Sequence, residues 1–170
     1  MKLKKIKSKA GIVDGCDGYL IDADEKVARA IVASLKDKKF GGVVAVLGRS
    51  GGFNRRVVES LKIDCLVSPE SGDRKDSLKQ RDSGLNHVVA KAAKAKGIEV
   101  VIDFDSLVEM KGKEKALGLA RIMQNVKICR RAKCGIKIWG SVDEKALRSF
   151  GFSVGMSSVE VRKAVAAEIL

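Results

Sequence analysis

Short runs rich in Val and Ile recur along the chain, each followed by a stretch of helical periodicity, and this alternation constrains the fold most. The runs are Gly42 to Leu47, Ile63 to Val67, Ile98 to Ile102 and Ile136 to Trp139, with shorter ones at Gly11-Ile12-Val13 and Phe152-Ser153-Val154. Between them, apolar residues return at intervals of three and four, the spacing that places side chains on one helix face. This predicts helices over Asp24 to Lys38 (Val27, Ala30, Ile31 and Ser34 on one face), Asn54 to Leu61, and 83–96 (Leu85, Val88, Val89, Ala92) with Gly97 as a stop. Further helices are expected over Lys113 to Lys133 (buried stripe Leu119, Ile122, Met123, Val126, Cys129), Asp143 to Phe150 and Ser158 to Ile169. Strands and helices in alternation, joined by short turns, are the pattern of β/α units around a parallel sheet. About six such strands make an open doubly wound sheet or a barrel; a full eight-fold barrel takes ~250 residues. At 170 residues a barrel must therefore have fewer than eight regular strands. No repeat or low-complexity linker divides the chain. The expected organisation is a basic N-terminal arm over 1–11 and one α/β domain over 12–170.

Charge narrows the class of partner. The formal net charge is +13, and it is unevenly placed. Residues 1–12 hold five lysines and no acid, residues 71–97 seven basic against three acidic, and residues 111–137 nine basic against one acidic. A fold that gathers these segments builds a strong positive field, which suits a polyanion: nucleic acid first, an anionic membrane surface second. With one Trp, one Tyr and five Phe, the chain is poor in base-stacking platforms, so phosphate contact is favoured over stacking. No segment has the ~18 to 20 apolar residues that span a bilayer. Cys16, Cys65, Cys129 and Cys134 form no C-x-x-C pair, and one histidine leaves a structural zinc site short of ligands. The basic start runs into Gly11 and Asp14 rather than a long apolar stretch. A soluble, cytoplasmic protein with free thiols is expected.

Two segments carry the candidate binding residues. Arg81-Asp82-Ser83-Gly84-Leu85-Asn86-His87 opens a helix, with Asp82 or Ser83 placed to cap it. Beyond the cap, His87, Lys91 and Lys94 stand at i, i+4 and i+7, opposite the apolar stripe. Arg81, Asn86, His87 and Lys91 would offer hydrogen-bond donors and charge to phosphate or sugar oxygens; a capped helix with a solvated lysine face is the plain alternative. In the long helix, Arg121, Gln124, Asn125, Ile128 and Arg131 fall on one side, with Lys127 a neighbour of Arg131. Cations at its C-terminal end also suit the helix dipole. That does not explain Lys111, Lys113, Lys115 and Arg121 nearer its start, whereas an external anion explains both ends.

Other constellations are better read as structure. Gly48-Arg49-Ser50-Gly51-Gly52 follows a strand and precedes a helix, but it lacks the Gly-Lys-Ser/Thr ending of a P-loop, so a flexible turn is expected. The acid pairs Asp14/Asp17, Asp22/Asp24 and Asp103/Asp105 are read as turn chemistry and helix capping. His87 is the sole imidazole, and no catalytic set or metal site is assigned.

The run Arg81-Asp82-Ser83-Gly84-Leu85-Asn86-His87-Val88-Val89-Ala90-Lys91, preceded by Leu66-Val67-Ser68-Pro69-Glu70, resembles the archaeal ribonuclease P protein component 3 family. Arg121-Ile122-Met123-Gln124-Asn125-Val126-Lys127-Ile128-Cys129 and Gly155-Met156 extend the resemblance over roughly residues 12 to 165. The resemblance implies a TIM-barrel-like α/β fold. It also implies a place in the ribonucleoprotein that removes the 5′ leader from precursor tRNA, where RNA is the catalyst and magnesium serves the RNA-containing holoenzyme. The chain itself would bind no cofactor and would catalyse nothing alone. Its partners would be ribonuclease P RNA, precursor tRNA, protein component 2 and the other protein subunits. An RNA-facing role passes to Arg81, Asn86 and His87, and also to Arg121, Gln124, Asn125, Lys127 and Arg131. Two alternatives stay open: a metal-dependent phosphoesterase on a related barrel, akin to the polymerase and histidinol phosphatase family, and a general basic nucleic-acid-binding module.

Overall fold

Six strands run parallel in chain order, β1 (Leu3–Ile6), β2 (Gly18–Ile21), β3 (Val43–Leu47), β4 (Cys65–Val67), β5 (Glu99–Asp103) and β6 (Ile136–Trp139), in a computed structural model that describes residues 3–13, 15–72, 74–76 and 81–165. Each strand pairs with the next, from Leu3 opposite Gly18 at one edge to Asp103 opposite Trp139 at the other. The connecting helices are α1 (Glu25–Asp37), α2 (Gly51–Ser60), α3 (His87–Lys96), α4 (Phe104–Glu109), α5 (Gly112–Ala132), α6 (Glu144–Ser153) and α7 (Ser158–Val165). Sequential parallel strands with intervening helices are the arrangement of a TIM-barrel-like fold, here with six strands among the described residues.

Pleating divides the sheet residues into two sets. Tyr19, Ile21, Val46, Leu66 and Val100 join the main core with Ile31, Leu35, Val57, Val58 and Val89 from the helices. Ile102 and Ile138 belong to a second core with Ile122, Val126, Phe150 and Val161. The alternate strand positions, Val43, Ala45, Cys65, Val67 and Val101, form a third cluster with Leu3, Leu20, Leu47 and Trp139, as on the inner wall of a barrel.

Several expectations are corrected. The N-terminal segment is not wholly an arm, because Leu3–Ile6 forms edge strand β1 and Lys5 pairs with Asp22 at 3.2 Å. Gly11-Ile12-Val13 is no strand: Lys9–Gly11 is a 3-10 turn, and the strand begins at Gly18. Phe152-Ser153-Val154 ends α6, where Val154 is the C-cap and Gly155 adopts φ +90°. The buried face of α1 is Ala28, Ile31, Val32 and Leu35, rotated from the expected one. Met123 is 40 % exposed, whereas Gly118, Arg121, Ile122, Asn125, Val126 and Cys129 form the buried face of α5. The cap of α3 is Asn86 rather than Asp82 or Ser83, its side chain accepting from the Val88 and Val89 amides.

The acid pairs cap helices in part, as expected, and in part tie distant segments together: Asp22 pairs with Lys5 at 3.2 Å and with Arg49 at 3.0 Å. Asp24 caps α1 and Asp103 caps α4, while Asp105 accepts from the Ser141 amide at 2.8 Å. Asp14 lies outside the described residues. Ser50 caps α2, so the glycines of that loop form a helix-opening turn.

Candidate nucleic-acid interface

The segment between β4 and α3 leaves the sheet at the C-terminal ends of the strands, and its conformation is set by close packing and buried polar clamps. Ser68 begins it in the left-handed region, at φ +45°. Gly84, in the middle of the Arg81–His87 run, has φ +74°, and a Cβ there would sit 1.8 Å from the Pro69 carbonyl oxygen. Only glycine fits such a position. Asn54 of α2 is fully buried; its side-chain amide donates to the Pro69 carbonyl at 3.1 Å and the Gly84 carbonyl at 3.0 Å, and its oxygen accepts from the Arg49 amide at 2.7 Å. Two strands of the loop are thus tied together from below.

Arg74 ties them from within. Its side chain is 1 % exposed and donates to the Glu70 carbonyl at 2.9 Å, to Asp82 at 3.1 Å, and to the carbonyls of Arg49 and Pro69. Burial pulls its guanidinium below the usual arginine range, against the opposing pull of Asp82. Asp82 also accepts from the Gly84 amide at 2.9 Å. Asp76 accepts from the Asp82 amide at 2.9 Å and from Arg121 at 3.2 Å.

α5 closes the arrangement from the other side. Asn125, 1 % exposed, donates to the Ser83 carbonyl at 3.1 Å and to the Glu70 carboxylate at 3.3 Å. Gln124 donates to the Arg81 carbonyl at 3.2 Å. Glu70 is buried, and that burial pushes its carboxyl up to about 7, the Asn125 bond and the Arg74 charge opposing the rise. The Arg121 Nε and Asn125 Oδ1 atoms find no partner among the described residues.

The residues assigned from sequence therefore divide. Arg121 and Asn125 do not face outward: both are buried side chains that hold the loop to α5. Asn86 is exposed, but its oxygen is committed to capping α3. Arg81, His87, Lys91, Lys127 and Arg131 are exposed, and Gln124 is half-buried. α3 packs against α5, which makes the two helices that carry these cations neighbours. Among the described residues, Lys91, Lys127 and Arg131 enter no ion pair, unlike Arg121 and Arg130. A cleft of about 290 Å3 lies beneath the motif, lined by Arg81, Asp82, Asn86, Gln124, Lys75 and Gly51. It brings Arg81, Asn86 and Gln124, named from two separate segments of the sequence, to one recess together with Lys75 and the first residue of α2. Asn54, Glu70 and Arg74 carry much of this architecture, and Lys75 lines the cleft. None of them is assigned a role from sequence, although Glu70 ends the Leu66 to Glu70 run of the resemblance, since isolated polar residues in a helix or loop do not announce burial.

No three His, Cys, Asp or Glu side chains gather to hold a metal among the described residues. No helix among them is long and apolar enough to cross a membrane.

Known proteins place this geometry in a family context. No protein-family model matches the chain. Ribonuclease P protein component 3 of Methanococcoides burtonii is 27 % identical over 125 residues, covering 69 % of this chain and 48 % of that protein. The protein of the same name from Halorubrum lacusprofundi is 33 % identical over 109 residues, covering 64 % and 40 %. That from Methanocaldococcus jannaschii is 28 % identical over 113 residues, covering 65 % and 46 %. The matches thus span less than half the length of these relatives. Among solved structures, a chain from a cryo-EM structure of archaeal ribonuclease P with mature tRNA shares the fold at TM-score 0.67, with 21 % identity over 86 % of this chain and 62 % of that one. An amidohydrolase shares it at TM-score 0.55, with 17 % identity over 89 % of this chain and 41 % of that one. Over about two thirds of its length the chain is thus similar in sequence to archaeal ribonuclease P protein component 3, and it shares its parallel β/α fold with a chain of an archaeal ribonuclease P structure.

Proposed function

We propose that this chain is a non-catalytic RNA-binding subunit of ribonuclease P, acting in the cytoplasm in the maturation of tRNA 5′ ends. The observation that carries the reading is the recurrence of one protein name among its sequence relatives, together with a matching fold in a chain of archaeal ribonuclease P. The surface is suited to that task. Arg81, His87, Lys91, Lys127 and Arg131 are exposed on rigid supports, and Gln124 stands beside Arg81. Cations held in this way neutralise phosphates without first paying the entropy of ordering a loop, and they reduce the self-repulsion of a folded RNA. Arg121 and Asn125 contribute indirectly, by fixing the loop that presents Arg81.

The partners of this reading are ribonuclease P RNA, precursor tRNA, protein component 2 and the remaining protein subunits. Magnesium belongs to the RNA-containing assembly, and this chain's residues take no part in holding it. The test is precursor tRNA cleavage by archaeal ribonuclease P RNA and its other protein subunits at limiting magnesium, with this chain omitted or added. Addition should raise the rate. No change, or cleavage by the polypeptide free of any RNA, contradicts the proposal.

A further inference from the structure

A second basic concavity lies at the opposite end of the sheet from the motif loop. It is a cleft of about 550 Å3 bounded by the last turns of α3 and α5, the beginnings of β5 and β6, and α7. Five cations line it: Lys94, Arg130, Lys133, Lys137 and Lys163, against Glu99 and Glu160. Two of the five are committed. Arg130 grips Glu160 through two bonds of 2.7 Å and also donates to the Gly155 carbonyl at 2.6 Å, which fixes α7 to α5 as a wall. Lys137 donates to the Lys163 carbonyl at 3.0 Å and stands 3.9 Å from Glu99. Lys94, Lys133 and Lys163 enter no ion pair among the described residues.

Helix dipoles favour each of these three lysines singly, because Lys94, Lys133 and Lys163 lie in or beside the last turns of α3, α5 and α7, where carbonyls favour positive charge. They do not explain why three helices bring these ammonium groups to the border of one concavity rather than to a convex surface. Three unpaired ammonium groups around one recess repel one another unless an anion lies between them. The lining contains no aromatic side chain, so nothing there would stack on a base. Lysines on flexible stems act as point charges, the chemistry of phosphate contact without sequence reading.

We propose that this cleft holds the sugar–phosphate backbone of an RNA strand, so that the molecule grips RNA at both ends of its sheet. The inference rests on the RNA-binding reading above and adds to it a separate site with its own residues.

Lysine acylation of the full chain, free and bound to an archaeal ribonuclease P RNA transcript, tests it when read by mass spectrometry. The expected result is protection of Lys94, Lys133 and Lys163 as well as Lys91 and Lys127. In parallel, the triple variant Lys94→Ala/Lys133→Ala/Lys163→Ala should fold cooperatively, with at most a small drop in melting temperature from the lost helix-end charges. Its slope of log affinity against log salt should become shallower by about 2 to 3. If RNA protects Lys91 and Lys127 but leaves the three cleft lysines as reactive as in the free protein, the inference is overturned while the RNA-binding reading stands. If no lysine is protected, both fall. Equal protection of the cleft by inorganic pyrophosphate at matched phosphate concentration would assign it to a small anion and overturn the RNA assignment.

Discussion

Asn125, in the middle of α5, donates its side-chain amide to the main-chain carbonyl of Ser83, 42 residues earlier in the chain. The bond joins the second half of the fold to the motif loop at a point closed to solvent, and the same amide reaches Glu70. Asn125→Ala would leave two buried acceptors unpaired, each costing ~1 to 3 kcal/mol. The variant should lose about 2 to 6 kcal/mol in urea denaturation and be cut more readily by proteases near Ser83. Wild-type stability would show that the contact is dispensable.

Glu70 makes the stability of this loop sensitive to pH. Its folded carboxyl keeps its proton up to about 7, against an ordinary value of 4.5. The stabilisation is therefore complete below pH 4.5 and is lost as pH rises through about 7, amounting to about 3 kcal/mol. Glu70→Gln keeps an acceptor for Asn125 and removes the ionisation. Its stability should exceed that of the wild type at pH 8 and converge with it near pH 5, as measured by chemical denaturation. Parallel pH profiles for the two proteins would contradict the assignment.

Gly84→Ala places a methyl group where a Cβ meets the Pro69 carbonyl and the Arg74 guanidinium, in a left-handed backbone. The expected cost is about 2 to 4 kcal/mol, because strain and displaced hydrogen bonds combine. RNA affinity should fall with it, since Arg81 loses its support. Unchanged melting and unchanged affinity together would remove the glycine from the account.

Much of the architecture was legible in the chain, because buried parallel strands leave Val-rich runs and amphipathic helices leave a period of 3.6 residues. Gly42 to Leu47 and Ile136 to Trp139 coincide closely with β3 and β6. β1 was hidden because Leu3–Ile6 is half lysine, and an edge strand satisfies itself with one neighbour and a charge pair to Asp22. Phe152 to Val154 misled because a helix end followed by glycine and a short apolar strand share the same composition. The candidate site was half legible. Arg81, His87, Lys91, Lys127 and Arg131 lie at the surface as expected, whereas Arg121 and Asn125 are covered by a loop whose path no local periodicity reveals.

That division yields a contrast between two arginines. Arg121→Ala removes a buried partner of Asp76 and should lower the melting temperature while leaving the salt dependence of RNA binding unchanged in slope. Arg131→Ala should do the reverse, preserving the melting temperature and reducing the slope by about 1. Thermal melts and salt titrations of the two variants side by side distinguish them. Equal effects on both readouts would erase the distinction between support and contact.

The central claim is that exposed cations on this scaffold meet RNA phosphates. Equilibrium binding of the full chain to ribonuclease P RNA across a range of monovalent salt measures it most directly. The account predicts a steep linear fall of log affinity with log salt, made shallower by about 2 to 3 units when Arg81, Lys91 and Arg131 are replaced together by Ala. A flat salt response, or a triple variant with the wild-type slope, would contradict it.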